Sequence, residues 1–305
     1  MTVEPGWVPP GLDTTKANVA RVYDYWLGGD HNFQADRDLA RTIIALDPNI
    51  RTTMRANRAF LGRVVRFLAG QAGIGQFLDI GSGIPTENNV HQVAQDTAPG
   101  SRVVYADNDD VAVAHSRLLL AGNPDATVIQ GDLREPAKIL ADPETQLLLD
   151  FTQPVAVFLV AVLHFIPGTG QAADIIATLR DALAPGSYLV ICHACRDEQP
   201  SLATSFETVY NSRVTAQLIM RSRAEITSLC DGFTLLEPGL VWIPPNGGPT
   251  PPTTFPRTRP NPGPSSASAA TTARRLPRRP RVDRSRAGSI RRFPGPCMLG
   301  STASR

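Results

Sequence analysis

Residues 76–92 read QFLDIGSGIPTENNVHQ, and this stretch decides the fold. The run FLDI at 77–80 is apolar apart from its aspartate, long enough for a strand and too short for a helix. Gly81 and Gly83 follow, and a polar stretch with helical character begins at about Thr86. A strand, a glycine turn and a helix N-terminus present free backbone N–H groups, and a ligand can come close where no Cβ stands. The stretch therefore predicts a nucleotide or nucleoside pocket.

Strands and helices alternate on the C-terminal side of this stretch. Strands are predicted at 77–80, 102–107, 126–130, 155–160 and 188–192, separated by helices at 87–97, 109–121, 136–149 (broken) and 171–183. Alternation of this kind predicts an α/β fold with a doubly wound parallel sheet and right-handed crossovers. Helices at 201–224 and 222–230 and two short strands at 233–236 and 240–243 follow. The last strands are expected to form an antiparallel edge.

A helical extension precedes the sheet. Helices are predicted at 17–27, 36–46 and 49–69, the first capped by Thr14 or Thr15. The apolar face of the first helix comprises Val19, Val22, Tyr23, Trp26 and Leu27, spaced i, i+3, i+4, i+7 and i+8. Gly28-Gly29 ends this helix, and a polar Asp30-His31-Asn32 loop follows. Residues 1–13 are predicted to be an irregular arm because they are rich in proline and glycine.

Charge divides the chain into two parts. Of its 305 residues, 42% are apolar and the net charge is +2. The segment 241–305 holds 12 arginines, no lysine and one acid, so residues 1–240 hold 18 bases against 27 acids, a net charge of −9. Residues 244–305 lack apolar periodicity and are predicted to be disordered. They could be a nucleic-acid arm, but their Arg, Pro, Ala, Gly and Ser content favours an altered reading frame in a GC-rich gene, which would truncate the closing strand.

The remaining composition excludes several classes of protein. Cys192, Cys195, Cys230 and Cys297 make no disulfide framework, and the CHAC pair at 192–195 lies in an apolar strand with no second pair to complete a zinc site. Buried thiols and no metal are therefore expected. The N-terminus lacks the basic and apolar regions of a signal peptide, and no apolar run reaches the ~20 residues that span a bilayer. We expect a cytoplasmic protein.

Three predicted strand ends carry groups suited to a nucleoside. The first supplies Gly81 and Gly83, the second ends in Asp107, which suits ribose hydroxyls, and the third ends before Asp132 and Leu133, which suit an exocyclic amine and a base. A dinucleotide fingerprint requires a third glycine where Thr86 stands, and a methyltransferase fingerprint requires one at Pro85. S-adenosylmethionine has no phosphate and tolerates a side chain there, so it is favoured over NAD.

The same segments resemble an actinobacterial S-adenosyl methyltransferase family formerly known only as a domain of unknown function. The resemblance spans about residues 15–243 and rests on ARVYDYWLGGDHNFQADR (20–37), FLDIGSGIPTENNVHQVAQ (77–95), VVYADNDDVAVAHSRLLL (103–120), GDLREP (131–136) and PVAVFLVAVLHFIP (154–167). It implies a Rossmann-like class I methyltransferase fold with a mostly parallel seven-stranded sheet in 76–243, a helical lid or extension in 14–75, and S-adenosyl-L-methionine as cofactor.

The family resemblance also implies the site. Gly81, Gly83, Asp107 and Asp132 would contact the methyl donor, with Asn108 and Leu133 beside the two aspartates and Asp79 facing the donor's amino group or ordering the loop. Tyr23 and His31 are the candidate donor contacts of the lid. His164, after the fourth strand, is the candidate general base, whereas His193 is interpreted as structural.

Two alternatives stay open at this point: an NAD(P)-dependent oxidoreductase, and a nucleoside-binding or regulatory protein without catalysis. We expect a small-molecule acceptor, and neither a membrane nor, despite the basic tail, a nucleic acid as partner. The sequence identifies neither the acceptor nor the oligomeric state.

Overall fold

The computed structural model describes residues 11–86, 88–214, 216–243 and 296–302, the last segment by its backbone. Within these residues the chain forms ten α-helices and one 3-10 turn, Leu163–Phe165. The helices are α1 (Val19–Leu27), α2 (Gln34–Leu46), α3 (Ile50–Gly70), α4 (Val90–Thr97), α5 (Asp110–Leu119), α6 (Pro136–Ala141), α7 (Pro143–Leu148), α8 (Thr169–Ala182), α9 (Pro200–Asn211) and α10 (Arg223–Ser228).

Eight strands of the described segments form one sheet. They are β1 (Gln76–Ile80), β2 (Arg102–Asp107), β3 (Ala126–Gln130), β4 (Ala156–Val160), β5 (Tyr188–Cys192), β6 (Phe233–Leu235), β7 (Val241–Trp242) and β8 (Pro296–Thr302). The order is β3-β2-β1-β4-β5-β8-β6, with β7 paired to β8. β1 to β5 pair in parallel, and β8 is antiparallel to β5, β6 and β7. The predicted α/β fold with a mostly parallel sheet is confirmed, whereas the predicted count of seven strands is not.

β8 accounts for the difference in strand count. It lies between β5 and β6 in register from Tyr188↔Ser301 to Cys192↔Cys297, so it pairs two strand edges that would otherwise be open. Pro296–Thr302 belongs to the predicted disordered tail, and for these residues that prediction is corrected. Residues 244–295 and 303–305 of that tail, and 1–10 of the predicted arm, lie outside the described residues.

The central strands are buried on both faces. In β4, Val157 and Leu159 join the core beneath α6, α8 and α10, while Ala156 and Phe158 join the core beneath α3 and α4. Successive side chains of a strand point to opposite faces, so a strand covered on both sides reads as one continuous apolar run. This explains why β1 to β5 were recognisable from the sequence.

A third apolar cluster joins the N-terminal helices to the end of the domain. Its members come from α1, α2, α9 and the segment after α9: they include Val22, Trp26, Leu39, Ile43, Phe206, Tyr210 and Met220. α3 connects this cluster to the sheet, because Ile50 packs in the cluster and Leu61 packs in the sheet core. The N-terminal extension therefore covers one end of the sheet.

Three predicted helix boundaries are wrong for local reasons. The helix predicted at 201–224 ends at Asn211, whose side chain bonds the backbone of Leu218 in both directions and reverses the chain. α4 begins at Val90 rather than residue 87, since the Asn89 N–H donates to Gln92 Oε1 in a capping box. Asn18 caps α1 in place of either predicted threonine, accepting from the N–H of Ala20.

Cys192, Cys195 and Cys230 are free and buried, which confirms that these three are plain thiols. Cys297 is described by its backbone alone, so the prediction for its thiol stays a prediction. In the described part of the chain, no helix is both long and apolar enough to cross a membrane.

Candidate active site

A cavity of about 780 Å³ opens at the carboxyl ends of β1 to β4. Its floor is the rim of the sheet, and its cover comes from α1, α3, α9 and the segment after α9. All but one of the predicted donor contacts line it: Tyr23, Asp79, Gly81, Gly83, Asp107, Asn108, Asp132 and Leu133. His164 lines it as well. Parallel strands bring their carboxyl ends to one edge, so residues far apart in sequence meet here.

The glycine turn after β1 has the geometry that only glycine adopts without strain. Gly81 and Gly83 have φ of +74° and +68°. A Cβ on Gly81 would stand 2.3 Å from Cγ2 of Val162, so this position also needs the missing side chain for packing. The Gly81 N–H donates to Ala106 O at 2.7 Å, which ties the turn to β2.

Asp107 at the end of β2 links the turn to the next loop. Its Oδ2 accepts from the Gly83 N–H at 2.7 Å, and its Oδ1 accepts from the Asp109 N–H at 2.9 Å. Burial raises the pKa of Asp107 to about 6, although these N–H groups stabilise the charged form. A carboxylate has about four lone-pair sites, so each oxygen can still accept from a ligand.

The loop after β3 places a carboxylate and an apolar side chain together. Asp132 accepts from Arg134 Nε at 2.9 Å and 3.0 Å, one bond to each oxygen, and also interacts with the Asn108 side chain. Burial acts to raise the pKa of Asp132, but the bonds from Arg134 outweigh it and the net shift is downward. Leu133 beside it is buried. The ion pair with Arg134 was not predicted.

Asp79 is the unusual carboxylate of the site. It is 5% exposed, lines the cavity, and accepts no hydrogen bond from any residue that the structure describes. Burial raises its pKa to about 7, with Asp107 adding to the rise and Arg58 opposing it. Arg58 lies on α3 and lines the same cavity, so a cation and a buried anion share this part of the wall.

The N-terminal extension is fastened to the rim of the sheet. Asn18 Nδ2 donates to Asp109 Oδ2 at 2.8 Å, so the start of α1 is held against the loop after β2. A buried ion pair between Arg21 Nε and Asp36 Oδ2, also at 2.8 Å, locks α1 to α2. Tyr23 lines the cavity, and its hydroxyl accepts from Asn57 Nδ2 at 2.9 Å.

His31, the ninth predicted donor contact, is not among the residues that line the cavity. Its ring stacks edge-on against His115 of α5 with centroids 4.1 Å apart, and its backbone N–H donates to Asp24. The preceding turn is shaped around the same carboxylate, because a Cβ on Gly29 would stand 2.0 Å from Asp24 Oδ1. Gly29 therefore serves the packing of this turn against Asp24.

His164 lies in the 3-10 turn after β4. The side chain is 8% exposed and lines the cavity, and its Nδ1 has no hydrogen-bond partner among the described residues. Burial is the main reason that its pKa lies well below the ordinary value, with His193 and Arg221 contributing. His164 is therefore a neutral imidazole, with a proton on one ring nitrogen and a lone pair on the other.

Arg221 holds the turn that carries His164. It is fully buried and donates to Leu163 O at 3.2 Å and to Ile166 O at 2.6 Å. Its Nη1 also lies 2.7 Å from His193 Nε2, while His193 Nδ1 donates to the carbonyl of Ala194 at 2.7 Å. His193 is thus a neutral link between strand end and turn, as interpreted from the sequence.

Sequence reasoning missed Arg58, Asn57 and Arg221. The first two lie on a helix rich in arginine and alanine, where no spacing distinguishes them. Arg221 falls in a segment predicted to be helical, and its partners are the carbonyls of residues more than fifty positions away. No local pattern contains that contact.

Comparison with known proteins agrees with this geometry. A family model described as S-adenosyl methyltransferase matches residues 5–253. The crystal structure of a methyltransferase candidate from Thermobifida fusca YX is 34% identical, with a TM-score of 0.80, over 98% of this chain and 100% of that one. The crystal structure of a DUF574 family protein from Streptomyces avermitilis MA-4680 is 32% identical, with a TM-score of 0.78, over 95% and 99%.

A search of curated proteins found no match. The family model covers most of the chain, and both crystal structures span nearly all of it. The resemblance recognised in the sequence is confirmed, and the enzyme class is that of the S-adenosylmethionine-dependent methyltransferases. The chain belongs to the S-adenosyl methyltransferase family.

Proposed function

We propose that the cavity binds S-adenosylmethionine and that the protein transfers its methyl group to a small-molecule acceptor. Asp79 carries this proposal. It is a buried carboxylate at the cavity wall to which no described residue donates a hydrogen bond, and burial raises its pKa to about 7. A buried charge without a partner is costly, so a site of this kind fits a cationic ligand group. The ammonium of the donor's methionine end is such a group.

Arg58 completes a site for an amino acid. It is close enough to Asp79 to oppose the rise in that residue's pKa, and it lines the cavity from α3. A guanidinium recognises a carboxylate through a rigid fork of donors. Asp79 would therefore take the α-ammonium of the donor and Arg58 its α-carboxylate.

The adenosine end would lie along the sheet rim. Gly81 and Gly83 admit the ligand close to the backbone, and the remaining lone pairs of Asp107 would accept from the ribose hydroxyls. Asp132 and Asn108 would face the exocyclic amine, with Leu133 against the base. These residues all line the cavity, and they follow neighbouring strands β1, β2 and β3, which supports the assignment.

The charge of the wall supports the sulfonium donor over a dinucleotide. Among the described residues, seven aspartates and two arginines line the cavity: Asp24, Asp47, Asp79, Asp107, Asp109, Asp110, Asp132, Arg58 and Arg134. An acidic cavity attracts the sulfonium cation and repels a pyrophosphate. Nothing in the site favours the oxidoreductase alternative.

Methyl transfer requires mainly positioning, because it is an in-line displacement at a methyl carbon. In this proposal residues 76–243 form the donor-binding domain, and residues 14–75 form the extension that closes the cavity through Tyr23. His164 would act as general base where the acceptor loses a proton. His31 has no part in it, since it lies outside the wall.

Calorimetry with S-adenosylmethionine, S-adenosylhomocysteine and NAD tests the donor. Both sulfur ligands should bind more tightly than NAD, and preference for NAD would overturn the proposal. Asp79→Asn should lower the affinity for S-adenosylmethionine about 30-fold, because a hydrogen bond to a charged group contributes about 2 kcal/mol. Asp174→Asn, exposed on α8, is the matched control and should bind as the wild type does.

Catalysis is tested separately from donor binding. Incubation with methyl-labelled donor and a metabolite extract should label a small molecule in the presence of the protein. Donor binding without any labelled product would favour the nucleoside-binding alternative. In calorimetry, Asp107→Ala should lower the affinity for S-adenosylmethionine. An unchanged affinity would mean that the ribose lies elsewhere.

A further inference from the structure

The cavity continues beyond the proposed donor site along α3. Arg58 lies near Asp79 at the sheet, while Met54 and Ile50 line the cavity one and two turns earlier and pack in the N-terminal cluster. At 1.5 Å per residue, the helix carries the cavity about 12 Å from Arg58 to Ile50. The part of the cavity bounded by Met54, Phe165, Phe206, Tyr210 and Met220 is here named the distal lobe.

Three aromatic rings of the distal lobe lie nearly parallel. Phe206 and Tyr210 have centroids 5.8 Å apart at 17°, and Phe165 and Tyr210 have centroids 6.3 Å apart at 25°. All three rings line the cavity, and an outer ring of such a stack keeps one face on which a further aromatic ring can stack. The remaining wall of the lobe is methionine, which adapts to the outline of a ligand.

His164 connects the lobe to the donor site. Its ring contacts Phe165, the first aromatic side chain of the lobe, with centroids 4.4 Å apart. The residue lines the cavity, and its neutral imidazole carries a lone pair on one ring nitrogen. A group held between the donor and these rings would therefore reach a proton acceptor at the point where the two parts of the cavity meet.

The charge of the cavity limits what the lobe accepts. Asp24 and Asp47 line the cavity from the N-terminal extension, and the two lining arginines lie at the sheet: Arg58 beside Asp79, and Arg134 paired with Asp132. No described lysine lines the wall. A carboxylate or phosphate on the acceptor would find no cation in the distal lobe and would be repelled.

We infer that the acceptor is a planar aromatic molecule that carries a hydroxyl group and no anionic substituent, a conclusion that rests on the proposed donor site. The ring stacks on the lobe while the hydroxyl faces His164. The hydroxyl oxygen forms a bond to the methyl carbon as the sulfur–methyl bond breaks, and that bonding pair stays on sulfur. The hydroxyl proton passes to the neutral imidazole, so the step balances without a further reactant.

A set of four probes of one size tests this class. The full chain is incubated with methyl-labelled S-adenosylmethionine and 2-naphthol, 2-naphthylamine, decahydro-2-naphthol or 3-hydroxy-2-naphthoic acid. We expect methylation of 2-naphthol with kcat/KM at least tenfold above each of the others. Preference for the amine, the saturated alcohol or the acid would overturn the hydroxyl, the planarity or the charge part of the inference, respectively.

Donor calorimetry keeps the two proposals apart. If the donor binds and none of the four probes is methylated, the acceptor class is wrong and the donor site stands. If the donor does not bind, the proposed function fails, and the acceptor inference fails with it.

Single substitutions test whether the acceptor binds in the distal lobe. Phe206→Leu should lower kcat/KM for 2-naphthol at least fivefold and leave donor affinity within twofold, which also shows that the variant is folded. His164→Gln should lower kcat/KM for 2-naphthol about 100-fold, as expected for loss of a general base. Phe151→Leu, which packs in the sheet core away from the cavity, is the control and should match the wild type. Equal effects of Phe206→Leu and Phe151→Leu would overturn the placement.

Discussion

The two walls of the cavity are built differently. The sheet wall comprises Asp79, Gly81, Gly83, Asp107 and Asp132, each at the end of a parallel strand. The opposite wall comprises Tyr23 and Asn57 of the N-terminal helices and the turn of His164. The first wall is set by strand ends that recur along the sequence. The second is set by side-chain contacts between segments far apart, so the two walls should respond differently to mutation.

The largest effect is expected from Asp79→Asn on the sheet wall. Burial raises the pKa of Asp79 from an ordinary 3.8 to about 7. An acid with a raised pKa in the folded state contributes its full stability below about pH 4 and loses it as the pH rises through about 7. One pKa unit corresponds to about 1.36 kcal/mol. As the pH rises from about 4 to above 7, the free energy of unfolding of the unliganded wild type should therefore fall by up to about 4 kcal/mol relative to that of Asp79→Asn.

Urea unfolding from pH 4 to 8 measures this difference. Asp174→Asn, at an exposed position of α8, should follow the wild-type curve. Parallel curves for the wild type and Asp79→Asn would mean that the carboxylate is hydrated before a ligand arrives. The sheet wall would then be less preformed than its geometry indicates.

The glycine turn offers a matched pair on the same wall. Gly81→Ala combines a positive φ with a Cβ placed 2.3 Å from Val162, and we expect a loss of about 3 kcal/mol. Gly83→Ala shares the positive φ but has nothing within 4 Å of the new Cβ, so a loss of about 1 kcal/mol is expected. Chemical denaturation of both variants separates backbone strain from close packing. Equal losses would remove the packing part of the argument.

The sheet wall was largely predictable, and the reason is local. β2, β3 and β5 were predicted with their observed bounds because continuous apolar runs have one interpretation when both faces are buried. The carboxylates at their ends then follow from the geometry of parallel strands. The eighth strand could not be predicted, since Pro296–Thr302 pairs through its backbone in a segment without apolar periodicity.

The opposite wall was predictable only in part. Tyr23 was predicted as part of a lid because two glycines and a polar loop follow its helix, and His164 was predicted because it follows a strand; both line the cavity. The contact of His31 with His115 was not predicted, because the fit of Gly29 against Asp24 leaves no trace in the sequence beyond the two glycines. Arg221 could not be found, since its role lies entirely in contacts with distant carbonyls.

Arg221→Met tests how far the opposite wall depends on one long-range contact. The variant leaves the carbonyls of Leu163 and Ile166 without a donor, but it also removes a buried charge, and the two effects partly cancel. We expect a net loss of about 2 kcal/mol in urea unfolding. Arg66→Met on the exposed face of α3 should change stability by less than about 0.5 kcal/mol. A neutral Arg221→Met would show that the turn of His164 is held by the backbone alone.

The smallest effect is expected where the two walls meet, at the bond from Asn18 Nδ2 to Asp109 Oδ2. Asn18 also caps α1 by accepting from the Ala20 N–H at 2.7 Å, so Asn18→Ala removes the cap and the bond together. Asn18→Ser retains a capping oxygen and removes only the bond to Asp109. Stability should fall by about 1 kcal/mol in Asn18→Ala and by a few tenths in Asn18→Ser. Donor affinity should fall severalfold in both, because each releases α1 from the rim of the sheet. If Asn18→Ser binds the donor as the wild type does, the cover stays closed without this bond, and the two walls are coupled through α3 instead.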